Sequence, residues 1–243
     1  MRARLTVRNH RGLEVPAVLG FVLGVGGIAT TVGVAVLGHV AAAGWIAGGG
    51  AGLVAAAGLL DDLSPAGPRG LRNHARALVA GHVTTGIVKL LTIVAVAVVT
   101  VAASPPRGGG VRMAGVILVA GATNLWNGLD VRPGRAVKFG LLGIPAVAAA
   151  DWALAPFAPG VLLAALLVLP WDAGERAMLG DVGANLLGFS IGVATFHALG
   201  DGQVVVAAAL AVALNVLADT VTLSSVIDAV PPLRWFDRLG TRP

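Results

Sequence analysis

The apolar residues of this chain gather into eight runs, at about 15–38, 41–60, 85–103, 111–126, 136–151, 159–171, 183–200 and 203–226, and the short segments between them hold most of the charge. A helix of roughly 20 apolar residues crosses a bilayer. The pattern therefore predicts an all-α, polytopic membrane helix bundle of about eight transmembrane helices, forming one domain over residues 1–243. Pro145, Pro156 and Pro159 interrupt or bound the fifth and sixth runs. Residues 1–14 and 227–243 remain as tails, the second an interfacial segment that carries Arg234, Trp235 and Phe236.

Composition points the same way: 56% of residues are hydrophobic and 12% charged, against the quarter or so charged in soluble domains, and the mean hydropathy is +0.87. The 35 glycines suit close approach of helices in lipid. Charge then sets the orientation. With eight crossings, one side receives Arg2, Arg4, Arg8, Arg11, Arg69, Arg72, Arg76, Arg132, Arg135, Lys138, Arg176, Arg234, Arg238 and Arg242, and the other only Arg107 and Arg112. The positive-inside rule then places both termini and both tails in the cytoplasm of a plasma-membrane, multi-pass protein. Basic clusters flanking apolar runs suit anionic membrane lipids, so nucleic acid is not an expected partner. The chain has no Cys, which excludes disulfides, thiol catalysis and thiolate metal sites.

Candidate chemistry starts at Asp61 and Asp62, which close the second run. Unsatisfied carbonyls make a helix C-terminus partly negative, so two carboxylates there need a compensating cation. Neighbours on a helix diverge by about 100°, so one of the pair can face a metal or substrate while the other faces a neighbouring cation. Arg69, Arg72, His74, Arg76 and His82 follow, and Lys89 lies about one turn into the third run, where a lysine is costly unless paired. Carboxylates beside cations are the components of a divalent-metal and phosphate site.

Two further groups fall on the same predicted side. Asn124, Asn127 and Asp130, at i, i+3 and i+6, form a slowly drifting helical stripe into one cleft, followed by Arg132, Arg135 and Lys138. The alternative is that these residues mark the interface, with Trp126 in an aromatic belt and the arginines setting topology. Gly180-Asp181 opens the seventh run after a loop holding Asp172, Glu175 and Arg176. Asp181 fits an N-cap, and the positive field of a helix N-terminus would keep it ionised and able to hold Mg²⁺. Carboxylates collected at one rim describe an interfacial polar site, whereas carriers place theirs nearer the bilayer centre. No Walker loop, HExxH motif or nucleophile elbow is present.

A DD pair ending a span, a Lys in the next, an NxxNxxD stripe and a GD opening a later helix, in that order, resemble the polyprenyl-phosphate N-acetylhexosamine-1-phosphate transferases, the MraY/WecA-like superfamily. The resemblance covers roughly residues 8–240 and includes the segment from Asn9 to Gly20 with Pro16. It implies a phosphoglycosyl-transferase-like domain that moves a sugar-1-phosphate from a uridine diphosphate sugar to polyprenyl phosphate with Mg²⁺, releasing UMP, in synthesis of a cell-envelope glycan such as peptidoglycan. By resemblance Asp61, Asp62 and Lys89 are catalytic, Asp181 holds the metal, and Asn124, Asn127, Asp130, Arg132, Arg135 and Lys138 bind the substrates. The partners implied are polyprenyl phosphate, a nucleotide sugar and membrane lipids, with a homodimer by family analogy.

The departures are specific. Family members typically cross ten times, and aligning the motifs implies, as an expectation, that the first and last of those spans have no counterpart here. Val131-Arg132-Pro133-Gly134 stands where a second Asp is expected, Met178 replaces an aromatic residue, and the family's His-rich loop is replaced by Ile227–Gly240. These losses motivate an alternative: an inactive family member that binds a lipid, a nucleotide or a protein partner in envelope assembly.

Overall fold

The computed structural model describes residues 5–8, 12, 14–64, 76, 77, 79–221 and 223–241. The fold is all-helical apart from one small hairpin. Strands β1 (Thr6–Arg8) and β2 (Glu14–Pro16) pair antiparallel with Val7 opposite Val15. Eleven α-helices follow among the described residues: α1 (Leu19–Leu37), α2 (Ala42–Asp62), α3 (Thr85–Ala103), α4 (Gly109–Leu129), α5 (Arg135–Gly140), α6 (Ile144–Ala149), α7 (Ala158–Ala173), α8 (Gly180–Ala198), α9 (Asp201–Thr220), α10 (Leu223–Ala229) and α11 (Pro231–Arg238).

Four of these, α1, α2, α3 and α9, are long and apolar enough to cross a membrane. Their outward faces carry exposed Val, Ile, Leu and Phe, for example Val25, Ile28, Val32 and Val36 on α1 and Val206, Leu210 and Val216 on α9. Faces of this kind are stable against lipid and would associate in water. The other four runs fold as helices of different character. The fifth breaks into α5, a 3₁₀ turn at Leu141–Gly143, and α6 with Pro145 in its first turn. The sixth, α7, has 16 residues. Within the four membrane-length helices, α9 of the eighth run stops at Thr220, and residues predicted to extend it to 226 fall partly in a separate short helix, α10.

The seventh run shows why apolarity and position need not coincide. α8 contacts α1, α2, α4, α5, α6 and α7, and every residue from Val182 to Ala194 is buried. A helix enclosed by protein on all sides does not need lipid-facing side chains, so it tolerates Asn185, Ser190 and several glycines. The chain before α1 fastens the entry to this central helix. Ala17 bridges Met178, whose amide donates to Pro16 at 2.8 Å, and the amides of Leu19 and Gly20 donate to the carbonyls of Met178 and Leu179 at 3.1 and 3.2 Å.

Candidate functional site

α2 ends against the start of α8 because Gly58 has no side chain: a Cβ there would lie 2.7 Å from the Asp181 carbonyl oxygen. The crossing resolves half of the electrostatic misfit at the end of α2. Asp62 sits at the positive end of α8, where its carboxylate accepts the amides of Asp181 at 3.2 Å and Val182 at 3.4 Å. The alternative reading of Asp181 as an N-cap does not hold. The cap position is Leu179, with no side-chain acceptor, and Asp62 of a distant helix does the capping. Gly180 makes the approach feasible, with φ +66° and space for no more than a hydrogen beside Asp62 Oδ2, 2.9 Å from where a Cβ would be.

Asp61 points the other way and meets α3. It accepts the Thr85 hydroxyl at 2.6 Å and Lys89 Nζ at 2.6 Å, and the same ammonium donates to Asp181 Oδ2 at 2.5 Å. Thr84 holds the start of α3 by accepting the Ile87 amide at 3.3 Å. Lys89 is thereby fixed between carboxylates from two other helices. Its side chain is 11% exposed, while Asp61 and Asp181 keep 24% and 28%, so the cation is covered and the carboxylates can be reached. The adjacent cations Arg69, Arg72 and His74 lie outside the described residues; Arg76 is exposed, as is His82.

Further round the rim, Asp130 caps the C-terminal end of α4 and Asp172 lies in the last turn of α7, both past the apolar runs. Burial pushes the Asp130 carboxyl well above the usual carboxylate range, reinforced by Asp172, Asp181 and Asp62. Burial likewise pushes Asp172 up to about 7, offset in part by the Gly134 amide and by Lys138. The Gly134 and Gly180 amides act on Asp172 and Asp130 without completing well-aligned hydrogen bonds to Asp172 or to Asp130 Oδ1, and Asn127 Oδ1, Trp126 Nε1 and both amide atoms of the fully buried Asn185 also lack a well-aligned partner among the described residues.

The remaining substrate-binding candidates lie elsewhere in function. Arg132 pairs with Asp228 at 3.1 and 2.8 Å; Arg135 pairs with Asp237 at 2.7 and 2.8 Å and donates to Ser224 at 2.8 Å. Lys138 donates to the carbonyls of Asp237 and Leu239, the latter at 3.1 Å. Phe236 meets Phe139 edge-on at 5.6 Å. The segment expected to lie at the interface therefore folds onto these three cations, and their charge is met by the chain itself. Asn124 also departs from the expected cleft. It is exposed and donates to Asn215 of α9 at 2.6 Å, because each three-residue step turns the stripe by about 60°, so Asn124 and Asp130 face different helices. Asn215 in turn donates to Gly121 and Ala211 carbonyls.

Among the described residues, no three His, Asp or Glu side chains converge to hold an ion. Mg²⁺ still fits, because it keeps several waters and needs only one or two protein carboxylates. Asp61 and Asp181 already flank a positive charge, the Lys89 ammonium, and hard oxygen donors surround it.

Comparison with protein-family models, curated proteins and solved structures returns no significant match. The reading of the site rests on its motifs and geometry.

Proposed function

We propose that the chain is a Mg²⁺-dependent phosphoglycosyl transferase that moves a sugar-1-phosphate from a uridine diphosphate sugar to polyprenyl phosphate, with its site at the cytoplasmic rim of an eight-span bundle in the cell membrane. The observation that carries this reading is the Asp61–Lys89–Asp181 bridge, with Asp62 locked onto the start of α8. It joins three motifs separated by 28 and 92 residues, which supports the reading.

In the reaction an oxygen of the lipid phosphate attacks the sugar-bearing phosphorus, the bridging P–O bond breaks, and UMP leaves with its electron pair. Phosphoryl transfer between anions calls mainly for alignment and charge neutralisation. Asp61 orients the incoming lipid phosphate, and Lys89 supplies positive charge between the two anions. Asp62 holds α8, and with it Asp181, in register. Asp181 would hold Mg²⁺, which supplies charge neutralisation at the diphosphate when bound.

Purified protein in detergent, given polyprenyl phosphate, Mg²⁺ and a panel of nucleotide sugars, should release UMP. Asp61→Asn and Asp181→Ala should each lower release by at least 100-fold while the protein stays folded; absence of release by the wild type across a broad panel overturns the reading. One observation favours the alternative, a silent member that binds a lipid, nucleotide or protein partner: Arg132, Arg135 and Lys138 are engaged by the chain's own C-terminal segment. Metal-dependent consumption of polyprenyl phosphate excludes that alternative.

A further inference from the structure

We propose that the groove between α1 and α2 holds the isoprenoid chain of the acceptor lipid, whose phosphate lies at the Asp61–Lys89 bridge; the identity of the chain rests on the transferase reading. The groove exists because glycines draw the two helices to different partners. Gly26 of α1 meets the backbone of Gly160 on α7, where a Cβ would overlap the carbonyl oxygen, and Gly27 lies against Val161. Gly58 draws α2 onto Asp181 of α8, and Gly50 draws it onto Val96 of α3. α1 and α2 follow one another in sequence and yet hardly touch. Between them is a cavity of about 520 Å³ floored by Phe157, Val161 and Leu186.

The walls of this cavity include glycines that packing does not require. A Cβ on Gly48, Gly49 or Gly52 would meet nothing within 4 Å, and one on Gly24 only the Leu186 side chain at 3.9 Å, so these residues keep space open. The Thr31 hydroxyl in the lining is spent within its own helix, on the Gly27 carbonyl at 2.8 Å. Both walls belong to helices of membrane-spanning length. What reaches the groove is therefore lipid, and what fills it is hydrocarbon.

Shape and position narrow the occupant further. On α2 the lining runs from Trp45 to Ala55, about 15 Å at the helical rise, which gives the cavity a mean cross-section of about 35 Å². A helix from a second copy, about 10–12 Å across with its side chains, is too broad for it, whereas one extended chain fits. Beyond Ala55 the same edge of α2 continues through Leu59 to Asp62, four and seven residues on, and all three are half-buried. A partly open stripe thus joins the groove to the carboxylate end of the helix. From Trp45 to Asp62 is about 26 Å, while half of a bilayer's hydrocarbon core is about 15 Å. A phospholipid with its head at this rim fills one leaflet and stops short of Trp45; a polyprenyl chain reaches it.

Gly48→Leu and Gly52→Leu fill the groove from within a helix that leucine favours over glycine, and neither position belongs to the carboxylate site. Wild type and both variants in detergent are given undecaprenyl phosphate or geranyl phosphate, whose chain is too short to reach Gly52. UMP release is followed with a nucleotide-sugar panel, and lipid retention by native mass spectrometry. The expected result is a rise of at least tenfold in KM for undecaprenyl phosphate in each variant, with a matching loss of its retention. KM for geranyl phosphate and for the nucleotide sugar should stay at the wild-type value. Unchanged KM and retention of undecaprenyl phosphate in both variants overturn the groove assignment and leave the transferase standing. Retention by wild type that both variants lose, without UMP release by any of the three, supports the groove and overturns the transferase. No retention by wild type, or retention of phosphatidylglycerol in place of undecaprenyl phosphate, overturns the proposal.

Discussion

Two clusters of charge share one end of the bundle and are made of the same residue types, yet one is open and the other closed. At the junction of α2, α3 and α8, Lys89 is shared between Asp61 and Asp181, whose side chains keep a quarter of their surface in reach of solvent. Around α5, Arg135 and Asp237 are 0% and 3% exposed and meet fork to fork. A carboxylate that shares its cation and can be approached is able to exchange partners with a ligand; a fully desolvated bidentate pair is not. Ionic groups of the first kind read as a site and those of the second as a latch that ties the C-terminal segment to the bundle.

The largest test of that contrast is Arg135→Ala. Removing one member of a buried ion pair costs about 3–5 kcal/mol; Arg132, 3.7 Å from Asp237, compensates only in part, and Ser224 loses its partner as well. Thermal unfolding in detergent should show a collapse in stability for Arg135→Ala and for Asp237→Ala, while Asp61→Asn stays near wild type. Equal losses in both clusters would mean that the first is structural too.

Much of this contrast was hidden in the sequence. Asp61, Lys89 and Asp181 could be singled out because a charged residue at the edge of an apolar run is costly without a partner, and the structure does bring them together. The cations Arg132, Arg135 and Lys138 were equally visible, but a sequence shows that a cation is present and not which carboxylate reaches it. Asp228 and Asp237 lie about 100 residues further on, beyond a helix that stops six residues short of the expected boundary. Asp62 was read as needing a cation, yet its partner is the start of a helix 119 residues away; that depends on how α2 crosses α8, which hydropathy does not encode. Asn124 was grouped with Asp130 by spacing alone, and the accumulated 120° of rotation separates them. Asn185 left a visible trace, an amide one turn after Asp181 within an apolar run, which a closer accounting of buried polar groups would have raised.

A smaller effect sharpens the comparison through two glycines, one beside each cluster, that share a left-handed backbone: Gly180 at φ +66° and Gly134 at φ +68°. Alanine at either costs about 1–2 kcal/mol from backbone strain alone. What the new Cβ meets differs. At Gly180 it approaches Asp62 Oδ2, whereas at Gly134 its nearest neighbour is the Ala173 side chain at 3.0 Å. Both variants should unfold at lower temperature by similar amounts, and only Gly180→Ala should also lower UMP release beyond what the lost stability explains. If Gly134→Ala impairs turnover as strongly, the closed cluster takes part in the reaction.

The smallest effect concerns the outer half of the latch. Arg132 and Asp228 make two hydrogen bonds, as Arg135 and Asp237 do, but their side chains are 34% and 33% exposed. Water and salt screen such a pair, so its contribution should be about 0–1 kcal/mol despite its geometry. Asp228→Asn should therefore shift thermal unfolding slightly, and less in high salt. Arg132 holds the Asp228 carboxyl below its usual value of 3.8, so the pair's stabilisation is complete above that pH and fades only as pH falls through the lower folded value. Around neutrality the difference between wild type and Asp228→Asn should be flat with pH. A loss as large as that of Asp237→Ala would show that burial is not what separates the two pairs, and that the C-terminal segment is held by its first helix as firmly as by its second.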